Sequence, residues 1–346
     1  MADSRAALSD RTVLPGTRLA LADRQDLVAH ARGVIARGSK SFAAASLLFD
    51  RATRERVWLL YGWCRAADDL ADAQDMGGSL GDQADAAARL ATIRERTALA
   101  LAGEPTGDLS FDGLGVVARE CGLTAAMCDD VVAGFALDAD DWRPRTQADM
   151  LQYCYHVAGA VGVMMAKVMG VPDEDADPLA GDTLDRACDL GIAFQLANIV
   201  RDVWEDDAAG RCYLPLEWLV EADIPPGQHM KPVYRAELVA MVHDACVLAH
   251  AYESSARIGA ARLPLRSRWA ILAATGIYGA IARKVEDAGI HGWDHRAFTT
   301  RFEKLRHVLG AGTACLRAVP DSCADEARAR PLTRRDFAAR AAAQRG

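Results

Sequence analysis

The chain has 346 residues, enough to bury a substantial core in one large domain or two average ones. Its net charge of -8 excludes a general attraction for nucleic acid, so any binding of polyanions must be local. Nine scattered cysteines without C-x-x-C spacing exclude a zinc or redox site of that type and indicate the reducing cytoplasm. No apolar stretch reaches the length of about 18 residues that a membrane-spanning helix needs.

The predicted elements are all helices. Ala and Leu are abundant, and the chain lacks the long alternating runs of Val, Ile, Thr or aromatic residues that strands need. In chain order, the predicted helices cover residues 25–37, 40–49, 52–74, 82–102, 110–138 with a break near Gly122, 146–170, 178–207, 232–262, 266–289 and 294–309. We therefore predict an all-α protein with a weakly ordered leader (1–24), a single helical domain (25–310) and an Arg/Ala-rich C-terminal tail (311–346).

The third predicted helix carries an acidic pair. It begins with the apolar run from Val57 to Tyr61 and turns polar at Arg65, Asp68 and Asp72. On a helix these side chains share the face of Tyr61, because residues three and four positions apart are neighbours. Such a pair alone is typical of a solvated face, but here it continues a strongly apolar run.

A second acidic pair lies on the predicted helix at 178–207. The residues that share its face are Gly191, Gln195, Asn198, Asp202 and Asp206. Buried carboxylates are costly unless something positive meets them, so we predict that cations bind between the two acidic helices. The alternative is an interhelical network in which Arg65 and Arg201 neutralise the carboxylates. Oxygen donors without a nearby His or Cys cluster favour Mg²⁺, with Mn²⁺ as the alternative ion.

Two further stretches have both a functional and a purely structural interpretation. Gly210 allows the second acidic helix to end, and Arg211 and Tyr213 then place a cation and a phenol just beyond the carboxylates. Alone, this is also the pattern of a plain C-terminal cap with a surface arginine. The helix Tyr153–Met165 has small residues such as Gly162 on its inner face, which predicts either tight helix packing or a smooth wall for a long hydrocarbon.

Together these stretches resemble the squalene and phytoene synthase family. The matching segments are Gly38–Phe42, Tyr61–Asp72, Tyr153–Met165, Gln195–Pro215 and Leu263–Arg296. The resemblance covers about residues 28–308, and the run R-D-V-x-E-D-x-x-x-G-R-x-Y-L-P at 201–215 is highly specific. Tyr-Cys-Tyr-His-Val-Ala-Gly and Gly-Arg-Cys-Tyr-Leu-Pro are similar to the bacterial branch that makes phytoene. The resemblance implies an isoprenoid synthase helical bundle with a central cavity.

The resemblance also implies a role for each matching residue. The metal ligands would be Asp68, Asp72, Asp202 and Asp206, with Asn198 as an additional ligand. Diphosphate oxygens would be held by Arg65, Arg201, Tyr278 and Arg296. The isoprenoid chains would meet among Ser39, Phe42, Tyr61, Tyr153, Val157 and Gln195. Further substrate-binding residues would be Gly162, Gly191, Arg211 and Tyr213. The four aspartates, with Arg65 and Arg201, would be the catalytic residues.

The implied reaction is a prenyl transfer that opens carotenoid biosynthesis. Two geranylgeranyl diphosphates would condense head to head through prephytoene diphosphate, and proton loss would end the reaction without a nicotinamide cofactor. One alternative is a dehydrosqualene or squalene type of synthase that uses farnesyl diphosphate. Another is a non-catalytic relative that acts in assembly or binding, although such relatives tend to lose acidic residues that are in place here.

The substrate and product also imply partners. An amphiphilic substrate and a hydrocarbon product imply peripheral contact with membrane lipid on the cytoplasmic side, with neighbouring enzymes of carotenoid synthesis as further expected partners. The tail arginines would help on an anionic surface, or would simply be solvated; they are Arg328, Arg330, Arg334, Arg335, Arg340 and Arg345.

Overall fold

The structure is a computed structural model that describes residues 22–76, 81, 84–140 and 142–345. All regular elements within these ranges are helical, which confirms the predicted all-α fold. The α-helices are α1 (Arg24–Gly38), α2 (Lys40–Ser46), α3 (Arg51–Ala71), α4 (Ala86–Ala102), α5 (Leu109–Cys121), α6 (Ala125–Ala139), α7 (Gln147–Cys154), α8 (Ala160–Val168), α9 (Ala180–Ala208), α10 (Leu216–Glu221), α11 (Arg235–Ala260), α12 (Leu265–Ala288), α13 (Arg301–Ala314), α14 (Asp321–Ala327) and α15 (Arg334–Arg345). A π-helical turn, Tyr155–Gly159, joins α7 to α8.

Local sequence explains where several helices begin and end. The Asp50 carboxylate caps α3 by accepting the Thr53 N–H at 3.0 Å. At α13, Thr300 and Glu303 form a reciprocal capping box, so this helix begins at Arg301 and not at residue 294 as the sequence predicted. The segment from 295 to 300 is therefore non-helical, and it carries Arg296.

Helix α9 has helices packed along its length. It contacts α8, the π-helical turn, α11 and α12, while α3 packs against α1, α4 and α5. One continuous cluster of buried apolar side chains runs through these helices, from Leu27 in α1 to Phe337 in α15. Both acidic helices are therefore parts of one packed core, which fixes their positions relative to each other.

Two glycines allow the π-helical turn and α8 to approach α9 closely. A Cβ atom at Gly191 would lie 2.1 Å from the carbonyl oxygen of Ala158, and one at Gly162 would lie 2.2 Å from the carbonyl oxygen of Ala187. Both obstacles are backbone atoms, which cannot move aside as a flexible side chain could. The small residues of this helix therefore do provide tight packing, one of the two interpretations of their pattern.

The C-terminal segment packs on the helical body. The Phe337 side chain is fully buried and stacks on Tyr155, with ring centroids 5.4 Å apart. Arg340 Nη2 donates to Asp149 Oδ1 at 2.9 Å, and Arg330 and Arg334 pair with carboxylates on α9. These three arginines are therefore engaged by the body, which argues against both a wholly solvated tail and their free use on a membrane.

The predicted division into leader, domain and tail stays a prediction. Residues 1–21 of the predicted leader lie outside the described residues. The predicted boundary at residue 310 falls inside α13. All nine cysteines are in the described part of the chain, where each is a free thiol. No helix in the described ranges combines the length and the hydropathy needed to cross a membrane.

Candidate active site

The acidic pair on α3 is bound by two arginines. Arg65 Nη1 donates to Asp68 Oδ2 at 2.6 Å, and Arg211 Nη2 donates to Asp72 Oδ1 at 3.0 Å. Arg211 belongs to the loop after α9, so its contact with Asp72 connects the two acidic helices directly. Arg211, which lies just beyond the second carboxylate pair in the sequence, thus contacts the first carboxylate pair.

The acidic pair on α9 has a different environment. Asp202 accepts hydrogen bonds from Arg201 and from Arg296, whose Nε and Nη2 atoms lie 2.8 and 3.1 Å from the two carboxylate oxygens. Burial alone would raise the pKa of Asp202, but these two guanidinium groups bring it below the usual value. The non-helical segment before α13 thus carries one of the arginines that hold Asp202.

Asp68 and Asp206 are less well compensated. Burial raises the pKa of Asp68 to about 6, and the neighbouring Asp72 carboxylate adds to the shift against the opposing effect of Arg65. Burial also raises the pKa of Asp206 to about 7, with repulsion from Asp202 as the next contribution. A cation between α3 and α9 would stabilise the charged form of both groups.

Asp138 is a site residue that the sequence reasoning missed. Its carboxylate accepts hydrogen bonds from the hydroxyls of Tyr153 at 3.1 Å and Tyr213 at 2.9 Å, and these two rings stack with centroids 4.7 Å apart. Asp138 also contributes to the raised pKa values of Asp68 and Asp206, so it lies near both acidic helices. The available signal was a carboxylate at the end of an apolar stretch, as in the two acidic pairs.

An apolar cavity of about 290 Å³ lies beside these charged groups, between α2, α3, the π-helical turn, α8, α9, α11 and α12. Six of the predicted substrate-binding residues line it, namely Phe42, Tyr61, Val157, Gly162, Gly191 and Tyr278. Phe42 packs edge-on against Tyr61 with centroids 5.5 Å apart. Phe194, which the sequence did not single out, stacks on Tyr278 at 4.2 Å.

Tyr61 connects the cavity to the charged groups. Its ring lines the cavity, and Arg65 lies one helical turn further along α3. The Tyr61 hydroxyl interacts with the Arg65 guanidinium group, and this contact helps to raise the pKa of Arg65 against the opposing effect of burial.

The other predicted substrate-binding residues lie outside the cavity wall. The Ser39 side chain caps α2 by accepting the Phe42 N–H at 3.2 Å, so it positions a residue that does line the cavity. Gln195 accepts a hydrogen bond from Asn198 Nδ2 at 3.3 Å. Tyr153 and Tyr213 are held at Asp138, while Arg211 and Arg296 are held at the aspartates.

The donor chemistry suits a divalent cation. Four carboxylates and the Asn198 amide offer only hard oxygen ligands near each other, and two of the carboxylates lack full compensation of their charge. Within the described ranges, however, no three His, Cys, Asp or Glu side chains converge closely enough to hold a metal ion. Asp68, Asp72 and Asp202 instead meet arginines, so a bound cation would take the place of some of these contacts.

Comparison with known proteins identifies the family. The family model described as squalene/phytoene synthase matches residues 35–303. The chain is 43% identical over 294 residues to a phytoene synthase of Pseudescherichia vulneris, covering 84% of this chain and 93% of that protein. It is also 43% identical over 300 residues to a 15-cis-phytoene synthase of Pantoea ananas, covering 85% of this chain and 95% of that one. The chain belongs to the squalene/phytoene synthase family.

Solved structures of this family have the same fold. A crystal structure of a dehydrosqualene synthase with a ligand superposes with a TM-score of 0.70 at 25% identity, covering 84% of this chain and 96% of that one. A squalene synthase from Alicyclobacillus acidocaldarius gives a TM-score of 0.65 at 22% identity, covering 77% of this chain and 95% of that one. The predicted family and isoprenoid synthase fold are thus confirmed, while the role of each site residue stays a prediction.

Proposed function

We propose that the protein is a phytoene synthase that condenses two molecules of geranylgeranyl diphosphate head to head, through prephytoene diphosphate, as the first committed step of carotenoid synthesis. The observation that carries this proposal is an apolar cavity whose aromatic lining leads to two acidic helices and their arginines. The names of the relatives at 43% identity support the same activity. Members of this family use prenyl diphosphates, and the chain is accordingly an enzyme of the prenyltransferase type.

The charged groups would bind the two diphosphates. Mg²⁺, or Mn²⁺ in its place, would be held by Asp68, Asp72, Asp202 and Asp206 with Asn198 as an additional ligand. When bound, the ion supplies positive charge that stabilises a departing diphosphate. Arg65, Arg201, Arg211 and Arg296 would then turn from the carboxylates to the diphosphate oxygens, where bidentate guanidinium contacts are strong.

The cavity would hold the two hydrocarbon chains and keep water from the reacting carbons. The C–O bond of one substrate breaks, and its diphosphate takes the electron pair. The allylic cation that remains is stabilised by the faces of aromatic rings such as Tyr61 and Tyr278. Because water would quench this cation, an apolar lining serves the reaction as much as the charged groups do.

Bond formation then proceeds without an external reductant. The alkene of the second substrate attacks the cation, and loss of a proton closes the cyclopropane ring of prephytoene diphosphate. Loss of the second diphosphate gives a new cation that rearranges, and a final proton loss leaves a central double bond. No hydride is consumed in this sequence, so we propose that turnover needs no nicotinamide cofactor.

A second candidate is a dehydrosqualene or squalene type of synthase. It is favoured by the structural similarity to a dehydrosqualene synthase and a squalene synthase. Such an enzyme would take farnesyl diphosphate and would differ in the length of its cavity. A non-catalytic role in assembly or binding is less well supported, because all four aspartates are present on the two helices.

Product analysis separates these candidates. Purified protein is incubated with Mg²⁺ and either farnesyl or geranylgeranyl diphosphate, with and without NADPH, and the hydrocarbons are separated by chromatography. We expect a C40 product with a central double bond from the C20 substrate, whether or not NADPH is present. Preference for the C15 substrate, or reduction that depends on NADPH, would contradict the proposal. Omitting the metal ion serves as the control and should abolish product formation.

We also propose a cytoplasmic location with peripheral contact to membrane lipid and with neighbouring carotenoid enzymes. A hydrocarbon product gains about 0.8 kcal/mol for each CH₂ group that leaves water, so release into lipid is far easier than release into water. Fractionation of cells that express the protein, with and without a high-salt wash, tests this placement. Recovery entirely in the soluble fraction under all conditions would contradict it.

A further inference from the structure

Helix α13 exposes large apolar side chains on its outer face. Phe302, Leu305 and Leu309 are 86%, 55% and 61% exposed, and Leu316 just beyond the helix is 83% exposed. Their spacing places them along one side of the helix. The opposite side is buried against α12, where Ala311 lies and where Trp269 Nε1 donates to the Val308 carbonyl oxygen at 2.7 Å. Helix α13 is therefore apolar on two faces. The face toward α12 is buried, and the face with Phe302, Leu305 and Leu309 is exposed.

Basic side chains surround these apolar residues. The segments 261–269 and 298–317 contain seven Lys and Arg residues and one acidic residue, Glu303, so together they carry a charge of 7 - 1 = +6 in a chain of net charge -8. Lys284 Nζ lies 2.7 Å from a Glu303 carboxylate oxygen, which neutralises the one acid, and Arg262 is paired with Asp182 of α9, so the other six cations carry most of the charge. The basic residues are Arg262, Arg266, Arg268, Arg301, Lys304, Arg306 and Arg317.

The two segments are adjacent in the fold. Arg268 Nη2 donates to the carbonyl oxygens of Ala314 and Arg317, at 3.4 and 3.0 Å, which joins the start of α12 to the end of α13. Leu265, at the start of α12, is itself 59% exposed. The exposed residues Leu265, Phe302, Leu305, Leu309 and Leu316 and the seven basic residues are called the α13 surface below.

We infer that the α13 surface docks the protein on an anionic lipid bilayer. An anionic bilayer binds proteins that combine two features. Apolar side chains enter the membrane interface, and neighbouring cations meet the anionic headgroups. A second copy of the chain fits less well, because a two-fold contact would place the same positive charges against each other.

The location of this surface suits the proposed reaction, on which this part of the argument rests. Helix α12 lines the cavity with Ile271, Ala274 and Ile277, and Leu263 just before it also lines the cavity. The same helix carries α13 against another of its faces. Helices α12 and α13 thus lie between the cavity and most of the docking surface, but Leu265 of that surface follows the cavity-lining Leu263 by only two residues, so the product would have a short path to lipid at the start of α12.

Flotation with lipid vesicles tests the inference. The full-length protein is mixed with vesicles of phosphatidylcholine alone or with added phosphatidylglycerol, and the bound fraction is measured after centrifugation. We expect the wild type to float with the anionic vesicles. The triple variant Phe302→Ser, Leu305→Ser and Leu309→Ser should bind at least about tenfold more weakly, because three apolar side chains no longer enter the interface. Reversing the charge of Arg306 and Arg317 to Glu should weaken binding by roughly fivefold or more for each residue, and only with anionic vesicles.

A matched control uses exposed apolar residues elsewhere. Val220 and Val233 are 64% and 74% exposed and lie outside α12 and α13, so the double variant Val220→Ser and Val233→Ser should bind vesicles as the wild type does. Equal flotation of the triple variant and the wild type would overturn the inference. So would a wild-type dimer in solution that the triple variant converts to monomers, since a second copy would then cover this surface.

Turnover separates this inference from the proposed function. With detergent-dispersed substrate, the triple variant should make product at the wild-type rate, because none of its changed residues lines the cavity or contacts the aspartates. A protein that floats with vesicles through α13 but makes no hydrocarbon would contradict the proposed function and leave the docking surface intact. A protein that makes hydrocarbon but does not bind the vesicles would contradict the docking surface and leave the proposed function intact.

Discussion

The charged end and the apolar end of the candidate active site are built in different ways. At the charged end, the carboxylates come in two pairs, and single arginines hold them: Arg65 and Arg201 from the same helices, and Arg211 and Arg296 from distant loops. The apolar cavity instead draws its lining from many helices and from close approaches such as that of Gly191 to the backbone at Ala158. The charged end therefore depends on single side chains, whereas the apolar end depends on how helices pack. Substitutions at the charged end should accordingly lower turnover, whereas substitutions at the apolar end should lower stability.

The largest expected effect is at the charged end. Asp68→Asn and Asp202→Asn should each lower turnover by at least about 100-fold to 1000-fold, because the charge is lost with almost no change in volume. The helical circular dichroism spectrum should remain that of the wild type. The control is Asp129→Asn, since Asp129 is an exposed aspartate on α6. Full turnover in either site variant would remove the proposed metal site.

Removing a side chain that supports the apolar end should instead lower the stability of the fold. Phe337→Ala removes a fully buried ring that stacks on the π-helical turn, and we expect the free energy of unfolding to fall by about 3–5 kcal/mol in urea titration. Phe302→Ala is the matched control, because an 86% exposed ring should change the stability by no more than about 0.5 kcal/mol. Equal stability of the two variants would mean that the C-terminal segment is not packed on the body.

Helix approach at the cavity wall can be tested by adding a single methyl group. Gly191→Ala should destabilise the protein by about 1–3 kcal/mol, because the added Cβ meets a backbone carbonyl that cannot move aside. Gly33→Ala, inside α1, meets only the end of the Arg37 side chain at 3.5 Å and should stabilise the helix by up to about 1 kcal/mol. Thermal unfolding of both variants checks the sign, and stabilisation by Gly191→Ala would exclude the close approach.

The smallest expected effect concerns pH at the charged end. Burial raises the pKa of Asp138 to about 6 in the folded protein, well above the ordinary value of an aspartate. A carboxyl group of this kind stabilises the folded state at low pH, and the contribution is lost as the pH rises through the folded pKa. As the pH falls from about 6 to about 4, the free energy of unfolding of the metal-free wild type should therefore rise by on the order of 1 kcal/mol relative to that of Asp138→Asn. A constant difference between the two proteins across this range would contradict the assignment.

The sequence predicted best what a single helix contains. Asp68 lies on α3 and Asp202 and Asp206 lie on α9 as predicted, whereas Asp72 is the residue just after α3, because that helix ends at Ala71 and not at residue 74. Asp138 escaped prediction because its partners Tyr153 and Tyr213 lie 15 and 75 residues away, and no periodicity connects such positions. The packing of the C-terminal helices could not be predicted either, since it depends on carboxylates of the body that meet Arg334 and Arg340.

The π-helical turn Tyr155–Gly159 decides which way the following residues face. A π-helical turn holds one more residue than an α-helical turn, so α8 is rotated by about 100° relative to an uninterrupted continuation of α7. Before the turn, Tyr153 meets Asp138 at the charged end; after it, Gly162 lines the cavity. Deleting one residue of the turn would restore a regular helix and swing Gly162 away from the hydrocarbon space. The one extra residue in this turn thus lets α7 and α8, which follow each other along one axis, contribute to both the charged end and the apolar end of the site.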